Sequence, residues 1–160
     1  MSKTKKQLLE ILKDPDYRLR APNVDVTIFS QELIRLAQDM IYTMNKVRGV
    51  GIAASQVKCN TRMIIALINK QPLVLLNPEV AAHADEQVSI EEACLSCPTK
   101  AVRIPRYYWV EVAYDTIKGK TTKGRFEGIN SIIIQHEIDH VRPEGGKLIV
   151  DYAPQVEQTA

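Results

Sequence analysis

Apolar and polar residues alternate along this chain in three regimes: helix-like spacing early, strand-like runs in the middle, and a densely apolar helix late. Residues 3–13 carry Leu8, Leu9 and Leu12 at the spacing of a short amphipathic helix, which Pro15 ends. Residues 14–26 hold two prolines and read as extended loop. Ser30 is a suitable N-cap for a second helix, whose positions Leu33, Ile34, Ala37, Met40, Ile41 and Met44 share one face. Gly49 and Gly51 are expected to stop it.

The middle reads as strands. Residues 62–69 and 72–80 are apolar and β-branched, with a short turn around Lys70. Residues 88–95 and 101–105 follow, and 109–114 suit a strand with one wetter face. The turn Lys118-Gly119-Lys120 leads into 121–126 as a hairpin. Residues 130–140 form a helix made apolar by Ile132, Ile133, Ile134 and Ile138, with Pro143, Gly145 and Gly146 beyond it. The expected fold is α+β, mainly antiparallel β-strands around a central buried helix. No repeat, low-complexity tract or Gly/Ser linker divides the chain, so residues 1–160 are expected to be one domain.

Composition adds limits. A chain of 160 residues can bury a sizeable core, and 45% hydrophobic with 25% charged residues is ordinary for a soluble globular protein. A net charge of +2 does not by itself argue for a nucleic-acid partner. The longest apolar runs are too short to span a bilayer, and the start lacks the apolar core of a secretory signal. Three cysteines without framework spacing suit a reducing cytoplasm.

The sharpest chemical signal is His136-Glu137-Ile138-Asp139-His140. Histidines at i and i+4 stand on one helical face and can reach one metal, and the adjacent Glu137 can act as general base on a water that the metal acidifies. An exposed, merely charged helix would not carry Ile132–Ile134 on its flank, and unpaired polar groups in an apolar helix are costly. Catalytic metal sites usually take three protein ligands plus water. His83 lies in a polar stretch and reads as solvated, and no second helical glutamate motif appears. Cysteine is the other donor class. Cys94 would suit a borderline divalent ion as thiolate. Cys97 makes a Cys-x-x-Cys pair with it, open to a redox or structural-zinc reading. Pro98 and the strand-like surroundings oppose the first, and the long separation from His136 opposes the second. Cys97 is expected to be a buried small residue or free thiol, and Cys59 incidental. The third signal is Gly49-Val50-Gly51-Ile52-Ala53-Ala54-Ser55-Gln56, whose small residues permit close backbone approach, as a bound peptide needs, and whose Gln56 amide could donate to an oxyanion. A tight turn followed by packed alanines accounts for the glycines equally well.

These segments, in this order, resemble the peptide deformylase family, which is marked by Gly-x-Gly-x-Ala-Ala-x-Gln, Glu-Gly-Cys-Leu-Ser and Gln-His-Glu-x-x-His. Here they are Gly49 to Gln56, Glu92 to Ser96 and Gln135 to His140. Asp16 to Arg20, Leu76-Asn77-Pro78 and Val102 to Arg106 look similar as well, and the likeness runs from about Pro15 to Tyr152. The resemblance implies an enzyme that removes the formyl group from the N-terminal formylmethionine of new polypeptides. It implies Cys94, His136 and His140 as ligands of one divalent ion, usually Fe2+, with Zn2+, Ni2+ or Co2+ able to replace it. Glu137 would move the water proton to the leaving amine, and Gln56 and the Leu95 backbone N–H would stabilise the oxyanion. Val50 and Gly51 would give backbone contacts to the peptide. Val50, Glu92, Ile129, Ile132 and Ile133 match positions near an apolar methionine pocket.

Three departures stand out. The family's glycine before the cysteine is Ala93, which is expected to alter substrate affinity rather than chemistry. The link from His140 to Lys147 is longer than usual. The chain looks like compact members without the long C-terminal helix that helps others dock on the ribosome. Implied partners are nascent formyl-Met peptides, with a possible transient ribosome contact, in the cytoplasm of a bacterium or of a virus-infected host. A monomer is expected, with no nucleic-acid motif and no membrane association. Two alternatives differ in kind: a zinc endopeptidase, which leaves Cys94 and the Gly49 to Gln56 stretch unexplained, and a non-catalytic metal module, against which the intact Gln56, Cys94 and Glu137 speak.

Overall fold

The structure is a computed structural model that describes residues 5–152. The first helix, α1 (Gln31–Lys46), starts where Ser30 accepts the Leu33 backbone N–H at 3.2 Å. It turns Leu33, Ala37, Met40 and Met44 inward, on the face its spacing predicts. Among the described residues, nine strands follow: β1 (Gly51–Ala53), β2 (Met63–Ile68), β3 (Gln71–His83), β4 (Gln87–Val88), β5 (Glu91–Cys94), β6 (Cys97–Arg103), β7 (Arg106–Tyr107), β8 (Trp109–Asp115) and β9 (Thr121–Glu127). The second α-helix, α2 (Ile129–His140), comes next, and a short 3-10 turn (Ile149–Tyr152) follows it.

Five strands form one antiparallel sheet in the order β1-β2-β3-β8-β9. Strand β2 shows why its sequence is apolar without alternation. Met63 and Ile65 join Ile52, Leu76 and the inner face of α1 in one core layer. Ile64 and Ala66 point the other way and pack with Leu75, Val110, Val112, Phe126 and Ile134 of α2. Successive strand residues face opposite sides, so a strand covered on both faces must be apolar throughout. The α+β expectation is borne out, with α1 and α2 on opposite faces of the sheet. Two small pairs, β4–β7 and β5–β6, lie outside it. The β5–β6 hairpin is covered by Leu12, Leu19, Leu148 and Ile149 in a third cluster.

Two local expectations are corrected. Residues 5–13 are extended, not helical, and residues 3 and 4 lie outside the described part. The backbone N–H groups of Gln7 and Leu9 donate to Asp39 Oδ1 and Thr43 Oγ1 of α1, each at 2.9 Å, and Leu12 donates to Gln56 O at 2.7 Å. Leu9 and Ile11, two apart, pack on the α1 core while Leu8 is 63% exposed, so the effective period is two. The end of α1 is not set by glycine either. The helix stops at Lys46, and Arg48 takes the left-handed conformation at φ 57°.

The longer link after α2 turns out well satisfied. The His140 carbonyl accepts from Ser55 Oγ at 3.0 Å and Asn23 Nδ2 at 3.3 Å. Arg62 Nε donates to Val141 O at 3.1 Å, and Lys147 N to Asp139 O at 2.8 Å. These partners fill the role that helix C-terminal carbonyls need filled. A Cβ at Gly146 would collide with the Leu19 carbonyl, which accounts for glycine there.

Candidate metal centre

Helix α2 buries both isoleucines and polar side chains, Ser131, Glu137, Asp139 and His140 among them, because it packs against the sheet. Its starting residue Gly128 sits at φ 59°, which glycine adopts without a steric cost. One turn apart near its end, His136 and His140 meet edge to face with ring centroids 5.1 Å apart. Cys94, the last residue of β5, brings Sγ to 3.6 Å from His140 Nε2. One donor atom each from Cys94, His136 and His140 lies within 4.8 Å of the others. Metal bonds of about 2.0–2.3 Å to N and S need donors about this close.

The surroundings fit a cation. His136 Nδ1 lies 2.9 Å from Glu92 Oε1, a partner that fixes the ring tautomer with a lone pair on Nε2. Burial, with the neighbouring His136, holds His140 down to about 3, so its imidazole is neutral and able to ligate. For His136, burial works downward, but Glu137 and Glu92 outweigh it and raise the ring. Contact with Cys97, then burial, push the Cys94 thiol up; a bound cation is what keeps such a sulfur as thiolate. Glu137 is buried, and burial pushes it up to about 7. Its Oε2 lies 3.9 Å from His136 Nε2, while its Oε1 has no hydrogen-bond partner among the described residues. A carboxylate oxygen left open beside three donors suits a group that exchanges a proton with a small reactant.

Gln56 sits in a short 3-10 turn, residues 54–57, directly after β1. The Ala53 N–H donates to its Oε1 at 2.9 Å, which aims its NH2 at the site, 3.1 Å from Ser96 Oγ and 3.7 Å from Cys94 Sγ. The glycine stretch has a role that the sequence did not reveal: a Cβ at Gly51 would collide with the Glu137 carboxylate. Gly51 lets β1 pass against α2 beside the Glu137 carboxylate. The centre opens on a cleft of about 540 Å³. Val50, Gly51, Glu92, Ala93, Leu95, Ile129, Ile132 and Ile133, the remaining expected site residues, all line it. Ile129 is 56% and Val50 53% exposed at its rim, whereas Ile132 is buried. Ala93 pairs with Ala101 in strand backbone and is absent from the left-handed residues, so alanine carries no backbone strain there. His83 is exposed and stacks on Tyr107 at 3.8 Å, away from the donors. Cys97 is a buried free thiol outside the donor group, and Cys59 is half-buried.

Residues the sequence reading missed support the donors from behind. Arg106, its side chain 5% exposed, donates from Nε and Nη2 to the two Glu92 oxygens at 2.8 Å and from Nη1 to Asp139 Oδ2 at 2.8 Å. Asp139 also accepts from Arg142 and, at 3.0 Å, from Tyr152 Oη. Burial works to raise Glu92 and Asp139, yet Arg106 wins and holds both below the usual carboxylate range. Glu92 precedes Cys94 by two residues and Asp139 adjoins His140, so one guanidinium clamps the strand donor to the helix donors. An aspartate inside the buried helix and an arginine in an otherwise apolar stretch were the available signals.

The sequence from residue 8 to 159 matches the family model for polypeptide deformylase. A peptide deformylase of Buchnera aphidicola (subsp. Acyrthosiphon pisum, strain Tuc7) is 38% identical over 148 residues, covering 91% of this chain and 83% of that protein. The solved peptide deformylase of Thermotoga maritima superposes with a TM-score of 0.87 at 33% identity, over 91% of this chain and 97% of that one. A class I type b peptide deformylase from Acinetobacter baumannii, solved with Met-Ala-Ser bound, superposes at 0.86 with 31% identity, over 92% of this chain and 99% of that one. With the family model, the curated relatives and the fold in agreement, the chain belongs to the peptide deformylase family.

Proposed function

We propose that Cys94, His136 and His140 hold one divalent cation and that Glu137 carries protons while the enzyme deformylates peptides. The enzyme is a metal-dependent hydrolase that removes the formyl group from the N-terminus of nascent polypeptides. The observation that carries the site assignment is the convergence of one sulfur and two imidazole nitrogens within 4.8 Å, beside a buried carboxylate. A bound cation supplies a Lewis acid that brings the pKa of water towards neutrality.

The chain's own groups do the rest. Glu137 accepts the proton of the attacking water and returns it to the departing amine, so formate leaves and a free N-terminus remains. A carboxylate already raised by burial is suited to both halves of that transfer. Gln56 Nε2 and the Leu95 N–H donate to the oxygen that gains charge on the former formyl carbonyl. Val50 and Gly51 engage the peptide backbone, and Ile129, Ile132 and Ile133 wall an apolar pocket for the methionine side chain. Glu92 borders that pocket, but its carboxylate is committed to Arg106 and His136. In this reading residues 1–160 act as one catalytic domain working as a monomer. Fe2+ is the resident ion, and Zn2+, Ni2+ or Co2+ substitute, since mixed thiolate and imidazole donors accept all four. No described helix is long and apolar enough to cross a membrane. Ribosome contact would fall to the surface or to residues 153–160, which lie outside the described part.

Anaerobic purification with metal analysis, followed by assay of formyl-Met-Ala against a peptide with an unmodified internal bond, tests the reading. One equivalent of metal and release of formate alone are expected. Cleavage of the internal bond with formyl-Met-Ala left intact would turn the assignment towards an endopeptidase.

A further inference from the structure

Cys97 takes no part in the scheme above, yet its position is specific. Cys94 ends β5, Cys97 begins β6, and Leu95 and Ser96 form the turn between them. The two cysteines are direct partners in the antiparallel register. Opposed residues of such a pair have Cα atoms about 4.5–5.5 Å apart. Their side chains leave the same face. A disulfide needs Cα atoms about 4.4–6.8 Å apart, so the strand pairing already holds the backbone at bridging distance. Both side chains are free thiols buried in one cluster with Leu12, Leu19, Val102 and Ile104. Cys94 borders the cleft, whereas Cys97 does not, so a small reagent entering the cleft meets Cys94 first.

We propose that Cys94 and Cys97 form a reversible thiol-oxidation site whose reagent is a small peroxide. The proposal rests on Cys94 being a metal ligand, and it assigns a regulation to that site. The Cys94 thiolate attacks one oxygen of hydrogen peroxide; an S–O bond forms, the O–O bond breaks, and hydroxide leaves. The Cys97 sulfur then attacks the Cys94 sulfenic sulfur; the S–S bond forms and the S–O bond breaks. Hydroxide departs and takes the Cys97 proton as water. Two thiols are oxidised by two electrons and one peroxide is reduced. The disulfide removes the anionic sulfur donor and releases the cation; a dithiol reductant restores the two thiols, and a divalent cation supplied afterwards can bind again. A sulfenic acid without a resolving thiol advances to sulfinic and sulfonic acid, which a dithiol does not reverse. Cys97 therefore protects the ligand by giving the first oxidation step a reversible end.

The test uses the Cys59→Ser protein, which retains both cysteines, beside the double variants Cys59→Ser/Cys97→Ser and Cys59→Ser/Cys97→Ala. Each is treated with hydrogen peroxide, mapped by mass spectrometry and then reduced with dithiothreitol. The Cys59→Ser protein should lose both thiols, yield a linked Cys94–Cys97 peptide and release its metal. Reduction, removal of dithiothreitol and re-addition of the divalent metal should then restore thiols, metal content and turnover. The Cys97 variants should carry sulfinic or sulfonic Cys94 and stay inactive after reduction. Equal, irreversible over-oxidation of Cys94 in all three proteins overturns the proposal, as does a treated Cys59→Ser protein with no linked peptide. If the double variants do not fold, the linked peptide in Cys59→Ser decides alone. Metal content before treatment checks the ligand assignment separately, because a protein that never holds metal fails that assignment whatever its thiols do.

Discussion

Helix α2 and the β5–β6 hairpin supply the same donor cluster by different physical means. In α2, two imidazoles one turn apart face the same way because the backbone repeats every 3.6 residues. That spacing survives small shifts of the helix as a whole. The hairpin has no such internal guarantee. Its strands pair only with each other, the register shifts between Ala93 and Cys94, and its core is a separate small cluster. Cys94 is placed by ties to other parts of the chain. Arg106 holds Glu92, the Asp14 N–H donates to Ser96 O at 2.9 Å, and Lys13 Nζ to Leu95 O at 2.9 Å. A helix brings its own geometry to a metal, whereas a hairpin must have its geometry imposed, so the precision of this centre depends most on the ties around β5.

The sharpest break would come from the ligands themselves. His140→Ala and Cys94→Ala should each weaken metal binding by more than the ~10–100-fold expected of a supporting residue. Metal analysis after dialysis against a mild chelator reads this. Stoichiometric retention in either variant would remove that region from the donor set. Next in size, Glu137→Gln should keep its metal while kcat/KM falls ~10²–10⁴-fold, as loss of a general acid–base group implies. Full turnover with metal bound would assign the proton transfer elsewhere.

Arg106→Met probes the link between the two regions. It leaves Glu92 with His136 alone and Asp139 with Arg142 and Tyr152, so the loss by thermal unfolding should be up to about 3–5 kcal/mol, the full cost of breaking a buried ion pair. It should also weaken metal binding ~10–100-fold, because Glu92 then no longer steadies His136. Arg62→Met is the control. Arg62 is as deeply buried, but its carboxylate partners Asp25 and Glu79 are 61% and 66% exposed, and its one tie to the end of α2 is to the backbone carbonyl of Val141. It should destabilise the protein and lower metal affinity less than Arg106→Met does, because it touches neither Glu92 nor Asp139; equal metal loss in both would reduce Arg106 to general stability. The smallest effect is Ser30→Ala, about 1 kcal/mol for a lost N-cap, with kcat unchanged below the unfolding transition.

Much of the site was legible because its signals are local. The His136 and His140 spacing needs only a helix, and the isoleucines around it announce burial. Strands β2, β3, β8 and β9 of the main sheet were readable for the same reason, with β8–β9 joined by the turn at Gly119, whereas the edge strand β1 was read only as a glycine-rich turn. What failed was local pattern without knowledge of the neighbour. Leu8, Leu9 and Leu12 suggested a helix, but Asp39 and Thr43 of α1 claim the backbone N–H groups and draw the segment out straight. Gly51 looked like a helix stop or a peptide contact, and it is also the space into which the Glu137 carboxylate fits.

The amino-acid order alone determined the two-sided apolar sheet, the capped first helix and a late helix presenting two imidazoles, since each depends on periodicities of a few residues. The meeting of Cys94 with those imidazoles, the Arg106 clamp, and the opposition of Cys94 to Cys97 were decided by tertiary structure. Those contacts join residues distant in the chain or set a strand register, and both are fixed only when the whole core packs and buried charges must find partners.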